Sequence, residues 1–406
     1  MIGNPPYVES RNSNFPEKLK DCLQSKIKFK YSQESVREYF PRGADLLIFF
    51  YEQALSLLNQ NGINTFITEN AWLSTDYGKA FQNYLLKNIH IQGIIDSDYK
   101  YFETADINTV ITIFRKKTGE NHNVQFFHCH ENFAVHPCRT LDIEKNDKTI
   151  EIKSFKQKNI LLQKYKWGFL FSANEKLLKL LELMNEKCNL SVQQKIEIGQ
   201  GLNITKDNIQ LEQTENSVPY FISDVGAIFR WTDTKYFVDK KVVSKTRRTP
   251  MLILPRGLGT HFCSTNEVTG YSSSYVEIYE KERLSEEEKL QLWIFCNSSL
   301  LWLLREYTGR CNLGGGMLKA EATDLKTLPL CFDFENIQEM KKIFEIAKGQ
   351  YNSSKIEEAI NSEVHKRIDK IVFDYFNLSS EDNFITDMLI KRYNWRNKKS
   401  KTKSLH

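Results

Sequence analysis

At 406 residues, with 41% hydrophobic and 12% aromatic content, the chain has the composition of a folded globular protein and the length of two domains. No apolar run approaches the ~20 residues that cross a bilayer, and the first residues carry neither the basic nor the apolar segment of a secretory signal, so no membrane partner is expected. The formal charge of +5 permits a nucleic-acid partner without requiring one, and the eight cysteines, scattered without a CxxC pair, read as reduced thiols and predict a cytoplasmic location.

Ile2-Gly3 reads as the end of a strand, and Asn4-Pro5-Pro6-Tyr7 follows it directly. Between residues 44 and 58 apolar side chains (Leu47, Phe50, Tyr51, Ala54, Leu58) recur at helical spacing and stop at Asn61-Gly62. Residues 63–68 alternate as a strand, 78–88 return to helical periodicity, and 91–96 and 109–114 are short β-branched runs. This alternation predicts an α/β fold, the latter part of an open sheet whose first half is absent. Residues 118–165 turn polar and Lys-rich, with short strands such as 123–127, and read as a connecting segment. A helix over about 174–185 leads to Lys195-Ile196-Glu197-Ile198-Gly199-Gln200-Gly201, where strand alternation meets a turn. Strands over 251–254 and 274–278 frame a loop-rich middle. One helix is expected over 285–307, with Leu290, Trp293, Ile294, Leu301 and Leu304 on one face. Residues 336–393 read as two or three helices before a basic tail. The boundaries that follow are 1–120, 121–170, 171–335 and 336–406.

The tetrapeptide carries a chemistry of its own. An exocyclic amine on a base is a poor nucleophile because its lone pair is delocalised into the ring. An amide oxygen and a backbone carbonyl placed side by side each accept one N–H, which localises the lone pair and aims it at an incoming methyl. Asn4 supplies the first acceptor. Pro5 supplies the second, since proline keeps its carbonyl while its ring fixes the turn. Tyr7 offers an aromatic face to an extruded base, worth ~1–3 kcal/mol in single-strand binders, and a base inside a duplex has to leave it to reach such a site. The position, just beyond a strand's carboxyl end, is where ligands bind in open α/β sheets. By itself an Asn-Pro-Pro-aromatic tetrapeptide is also a common turn.

Gly3-Asn4-Pro5-Pro6-Tyr7-Val8 resembles the catalytic motif of the gamma-class N6-adenine DNA methyltransferases with a TaqI-like C-terminal specificity domain. Gly43-Ala44-Asp45-Leu46, then Phe66-Ile67-Thr68-Glu69-Asn70-Ala71-Trp72-Leu73, then Tyr101-Phe102, resemble the segments that follow it in that family. Stretches at 195–203, 251–259 and 297–329 resemble the start, middle and end of the specificity domain. The resemblance implies the C-terminal part of a Rossmann-like methyltransferase sheet (1–120), a connector (121–170), a mixed α+β target-recognition domain (171–335) and a helical C-terminal segment (336–406). It implies that Asn4 and Pro5, with Pro6 and Tyr7 completing the motif, hold the adenine amine. Tyr7 and Phe102 would stack on the flipped base, and Asp45 would lie on the cofactor side. The methyl donor would be S-adenosylmethionine, with methyl transfer speeded by positioning, and the enzyme would belong to a restriction-modification system.

In the family a Gly-rich cofactor-binding half precedes the motif, and here three residues do. Neither Gly257-Leu258-Gly259 nor Gly314-Gly315-Gly316 has the strand-turn-helix setting of a nucleotide loop. The chain is therefore expected to bind the cofactor poorly alone and to act with a separate N-terminal cofactor-binding subunit, or to be a truncated product. A non-catalytic DNA-recognition or assembly subunit, or an inactive remnant, is the alternative. Double-stranded DNA is the expected partner: Lys240, Lys241, Lys245, Arg247, Arg248 and Arg256 place six cations within seventeen residues, suited to phosphate contact and guanine readout, or to a plain solvated strand edge. Arg310 lies in a Gly-rich loop that backbone could bring close to a duplex. The tail from 391 to 403 holds seven Lys or Arg and reads as solvated and disordered. His128, Cys129, His130, His136 and Cys138 cluster in sequence, but strand alternation would turn His128 and His130 away from Cys129, so no metal is expected. Glu151-Ile152-Lys153 matches only the end of a nuclease pattern.

Overall fold

The computed structural model describes the chain apart from residues 10–15, 31–38, 42, 98–101, 103–107, 117–121, 130–149, 158–159, 161–164, 189, 223–228, 231–235, 244–246, 257–260, 266–269, 310–317, 351, 354, 379–381 and 402–406. The chain divides into two units, Met1–Ala173 and Asn174–His406.

In the first unit β1 (Ile2–Gly3), β2 (Ile63–Glu69), β3 (Ile89–Ser97), β4 (Thr109–Lys116), β5 (Asn123–Cys129) and β6 (Ile150–Lys156) form one mixed sheet in the order β1-β2-β4-β3-β5-β6. The helices are α1 (Glu17–Lys30), α2 (Leu46–Leu57), α3 (Asp76–Asn88) and α4 (Trp167–Ser172). The alternating sequence of β2 buries Asn64, Phe66 and Thr68 on one face. Its antiparallel neighbour β4 sets Phe114, Thr112 and Val110 opposite them. Helix α2 covers that face with Tyr51, whose ring packs 5.2 Å from Phe66 and 5.2 Å from Phe81. The Tyr51 hydroxyl lies 2.8 Å from Thr112 Oγ1, so the buried phenol is hydrogen-bonded rather than stranded. Trp72, in the turn after β2, meets Phe81 and Trp167 edge to face at 5.5 and 5.8 Å. Helix α3 passes so near this turn that a Cβ on Gly78 would lie 1.7 Å from the Trp72 carbonyl oxygen, which only glycine avoids.

Residues 121–170, read from sequence as a connector, belong instead to this unit. Strand β5 pairs parallel with β3, and β6 pairs antiparallel with β5. Trp167 and Phe171 are buried, with ring centroids 6.3 and 5.0 Å from that of Phe126. The polar composition misleads because an outer strand needs apolar residues on one face at most.

The second unit begins with α5 (Glu175–Lys187) and α6 (Leu190–Lys195). Its strands are β7 (Ile196–Gln200), β8 (Ile209–Gln210), β9 (Ser217–Ile222), β10 (Phe229–Arg230), β11 (Tyr236–Asp239), β12 (Leu252–Pro255), β13 (Ser264–Thr265), β14 (Tyr271–Ser273) and β15 (Tyr275–Glu280). They make two four-stranded sheets, β14-β9-β11-β8 and β13-β12-β15-β7. Then come α7 (Glu286–Cys296), α8 (Ser299–Thr308), α9 (Ala322–Leu325), α10 (Ile337–Gln350), β16 (Asn352–Ser353), α11 (Ile356–Asn361), α12 (Glu363–Phe376) and α13 (Asp382–Lys401). Strand β16 pairs with β10, which ties the C-terminal helices back to the sheet region.

The single helix expected over 285–307 is two. Asn297 leaves the helix to bond Cys263: its Oδ1 accepts the Cys263 N–H at 2.8 Å and its Nδ2 donates to the Cys263 carbonyl at 3.1 Å. Ser298 then caps α8 by accepting the Leu301 N–H at 3.3 Å. The tail read as disordered continues α13 as far as Lys401. The architecture is mixed α/β with several sheets. Among the described residues no helix is long and apolar enough to cross a membrane.

Candidate active site

The short strand β1 lies parallel to β2, with Ile2 opposite Thr65 and Gly3 opposite Phe66. The Met1 ammonium donates to the Ile63 carbonyl at 2.6 Å and the Thr65 N–H donates to the Met1 carbonyl at 2.8 Å, which fixes the strand's start. The chain leaves β1 straight into Asn4-Pro5-Pro6-Tyr7, beyond the carboxyl end of β1 and alongside the last residues of β2. Pro5 is buried, Asn4 and Pro6 are exposed, and Tyr7 is partly buried. The Leu46 N–H donates to the Val8 carbonyl at 3.1 Å, anchoring the tetrapeptide to the start of α2.

Within the tetrapeptide the Tyr7 hydroxyl donates to Asn4 Oδ1 at 2.6 Å and lies 3.3 Å from the Ile67 carbonyl oxygen. The Tyr7 and Phe102 rings are 6.2 Å apart at 65°, an edge-to-face contact. Two aromatics far apart in sequence are thus brought together. Burial, and then the Glu69 carboxyl, push the Tyr7 phenol up to about 12, so it stays a donor through neutral pH.

Asp45 is the N-cap of α2, although its side chain makes no capping hydrogen bond, and it is 5% exposed. Burial raises the Glu69 carboxyl to about 7, helped by the charge of Asp45 and a hydrogen bond to it, and by Glu9. Burial and then Asp45 raise the Tyr77 phenol. Burial is the larger cause of the Glu69 shift, and the second carboxyl close by adds to it, because two carboxyls in a poorly solvated place do not both ionise readily. Glu69 and Tyr77 were not singled out from sequence. Glu69 is the last residue of β2, so its place at a strand's carboxyl end beside the tetrapeptide was the available signal; nothing in the sequence marks Tyr77.

The described arginines of the basic run all face acids. Arg247 bonds the Glu277 carboxylate at 2.5 Å and the Gln200 carbonyl at 2.7 Å. Glu277 is 0% exposed and also accepts from Tyr279 and from Ser272, whose Oγ is 2.7 Å away. Arg248 pairs with Glu197 and lies over the Tyr279 ring at 5.2 Å. Arg256 is 3.7 Å from Glu321. Lys245 and Arg310 lie outside the described residues, as do Gly257, Gly259 and Gly314 to Gly316. His128 sits 3.5 Å from Asp96, while His130, His136 and Cys138 also fall outside. Among the described residues no group of three or more His, Cys, Asp or Glu could hold a metal ion.

Residues 1–102 match the Eco57I restriction-modification methylase family. Among solved structures, the chain is similar to the Type IIL restriction-modification enzyme MmeI, solved in complex with DNA, at 13% identity over 98% of this chain and 57% of that one, TM-score 0.54. It also matches the type IIG restriction endonuclease BpuSI at 13% identity, 98% and 54% coverage and TM-score 0.41. A third match is a nuclease-deletion mutant of the Type ISP enzyme LlaGI, in complex with a DNA substrate mimic, at 13% identity, 98% and 43% coverage and TM-score 0.46. The fold likeness rests on MmeI, and the chain spans little more than half of that structure's length. The likeness to restriction-modification methylases covers residues 1–102, and the likeness to MmeI is one of fold.

Proposed function

We propose that this chain carries the base-holding side of a site-specific adenine-N6 DNA methyltransferase of the restriction-modification type. The observation that carries the reading is the junction of Asn4 and Tyr7, hydrogen-bonded at 2.6 Å beyond the end of β1, with Phe102 against the Tyr7 ring. Asn4 Oδ1 and the Pro5 carbonyl accept the two N–H groups of the adenine amine. As the new N–C bond forms with the amine's lone pair, both acceptors strengthen as positive charge develops on nitrogen, and the cationic amine then releases one proton to solvent water. Tyr7 and Phe102 hold the extruded ring.

S-adenosylmethionine supplies, when bound, a sulfonium methyl whose C–S bonding pair leaves with sulfur. The Asp45 and Glu69 carboxyls fit a cationic ligand of that kind by charge. A cofactor-binding half, in the same polypeptide or in another, would complete the site. Duplex DNA is the substrate, with Arg248 and Arg256, and Lys245 and Arg310 beyond the described residues, as candidate DNA contacts. Arg247 is better understood as the counterion of buried Glu277.

Co-expression of the chain with a candidate cofactor-binding half, followed by mapping of methylated adenines, tests the reading. Methylation is expected at one sequence context and should fall at least a hundredfold in Asn4→Ala. Methylation that persists in that variant would remove Asn4 from the mechanism.

A further inference from the structure

The Tyr7 hydroxyl has a partner that stacking does not call for. A ring that only stacks on a base needs its π-face, yet here the hydroxyl points back along its own tetrapeptide to Asn4. The length of that contact says which end of the amide it meets. At 2.6 Å it suits an O–H donating to an oxygen and is too short for an amide N–H donating to the phenol. The competing acceptor, the Ile67 carbonyl, is 3.3 Å away, so the single phenolic proton goes to Asn4.

An asparagine amide has an acceptor end and a donor end of nearly the same shape. Only the acceptor end can take an N–H from the base. A half-turn about the last side-chain bond would present an NH2 to the substrate amine, donor against donor. Asn4 is exposed, so burial does not hold its amide in one orientation. Oδ1 has two lone pairs: one takes the Tyr7 proton, and the other is left to accept from the adenine.

We propose that the Tyr7 hydroxyl is a positioning group that orients the Asn4 amide, holding Oδ1 toward the base, in addition to the ring's role as a stacking surface. The inference rests on the methyltransferase reading and deepens it. The phenol, pushed up to about 12, remains protonated over the range in which such an enzyme works, so the orientation does not vary with pH near neutrality. The neighbouring Glu69 carboxyl acts in the same direction, since a negative charge there opposes ionisation of the phenol.

Tyr7→Phe keeps the ring and deletes the hydroxyl, so the two roles separate. In the chain paired with its cofactor-binding half, single-turnover methylation of a duplex is expected to slow by roughly tenfold, the worth of one neutral hydrogen bond. The KM for DNA, and the fluorescence of 2-aminopurine at the target base, should stay within about twofold, because extrusion and stacking use the ring. A rate within about threefold of the parent would overturn the proposal, and so would a loss matched by an equal loss of 2-aminopurine signal. The Asn4→Asp background gives a second measurement. A carboxylate has two equivalent acceptor oxygens and needs no orienting, so Tyr7→Phe should cost at most about twofold there, and an equal tenfold cost would overturn the role. If Asn4→Ala still methylates, or the parent pair never does, the methyltransferase reading itself falls and this inference with it. If Asn4→Ala is dead and Tyr7→Phe is not slowed, only the inference falls.

Discussion

Glu69 is the carboxyl of the candidate site that burial lifts above its ordinary range. Its folded-state value of about 7 lies above the usual carboxyl range, through burial and the nearby Asp45. A raised carboxyl binds more protons when folded than when unfolded, so its contribution is favourable below pH ~4.5 and is lost as pH rises through about 7. The first unit should therefore lose on the order of 2 kcal/mol between pH 5 and pH 8 from this group. Urea titrations followed by tryptophan fluorescence, which reports buried Trp72 and Trp167, check it. Glu69→Gln should flatten the dependence over that window, and an equal slope in the variant would assign the effect elsewhere. The chemistry proposed for Asn4, Pro5 and Tyr7 was legible in the sequence because it resides in four consecutive residues. Glu69 was not, because its shift arises from Asp45, 24 positions away in the chain and adjacent only in the fold.

At the scale of elements, the break between α7 and α8 shows how tertiary bonding overrides local periodicity. The apolar spacing continues through residues 285–307, and the second half of α7 and nearly all of α8 are buried on every side. Periodicity could not reveal the break, since a helix apolar all round has no distinct face. What ends α7 is the Asn297 amide, which satisfies both backbone groups of Cys263 in a fully buried setting. Asn297→Ala should cost about 1–3 kcal/mol, because it leaves the buried Cys263 N–H without its acceptor, while the Cys263 carbonyl keeps the Trp293 indole N–H at 3.0 Å. Thermal unfolding of the variant checks the loss; a change under about 0.5 kcal/mol would mean that the N–H finds another acceptor. The strands β2, β3 and β4 were legible from β-branched alternation, whereas β6 was not: three of its seven residues are charged, and only its pairing with β5 makes it a strand.

For the whole molecule, the basic run shows that charge in a sequence is not the same as charge offered to a partner. Arg247 neutralises a carboxylate with no exposure, so Arg247→Ala should destabilise the second unit by about 3–5 kcal/mol through the uncompensated Glu277 charge, visible as a lower melting temperature. Arg256 stands in a looser pair at 3.7 Å. In the assembled enzyme Arg256→Ala should leave the melting temperature nearly unchanged, weaken duplex binding and lower the slope of log affinity against log salt by about one. Fluorescence anisotropy at several salt concentrations measures both; an unaltered slope would take Arg256 out of the DNA contact.

The sequence by itself determined the local chemistry and most of the regular elements. A proline-fixed turn after a strand, an amphipathic helix within 44–58 and β-branched runs are properties of neighbours along the chain, and short-range sterics and periodicity express them. Tertiary structure alone decided which distant groups meet: Phe102 against Tyr7, Asp45 beside Glu69, Glu277 beneath Arg247, Asn297 on Cys263. Each of these depends on burial and on contacts across tens of residues, and the strength of a charge or a hydrogen bond depends on the medium around it. That medium exists only once the chain has folded.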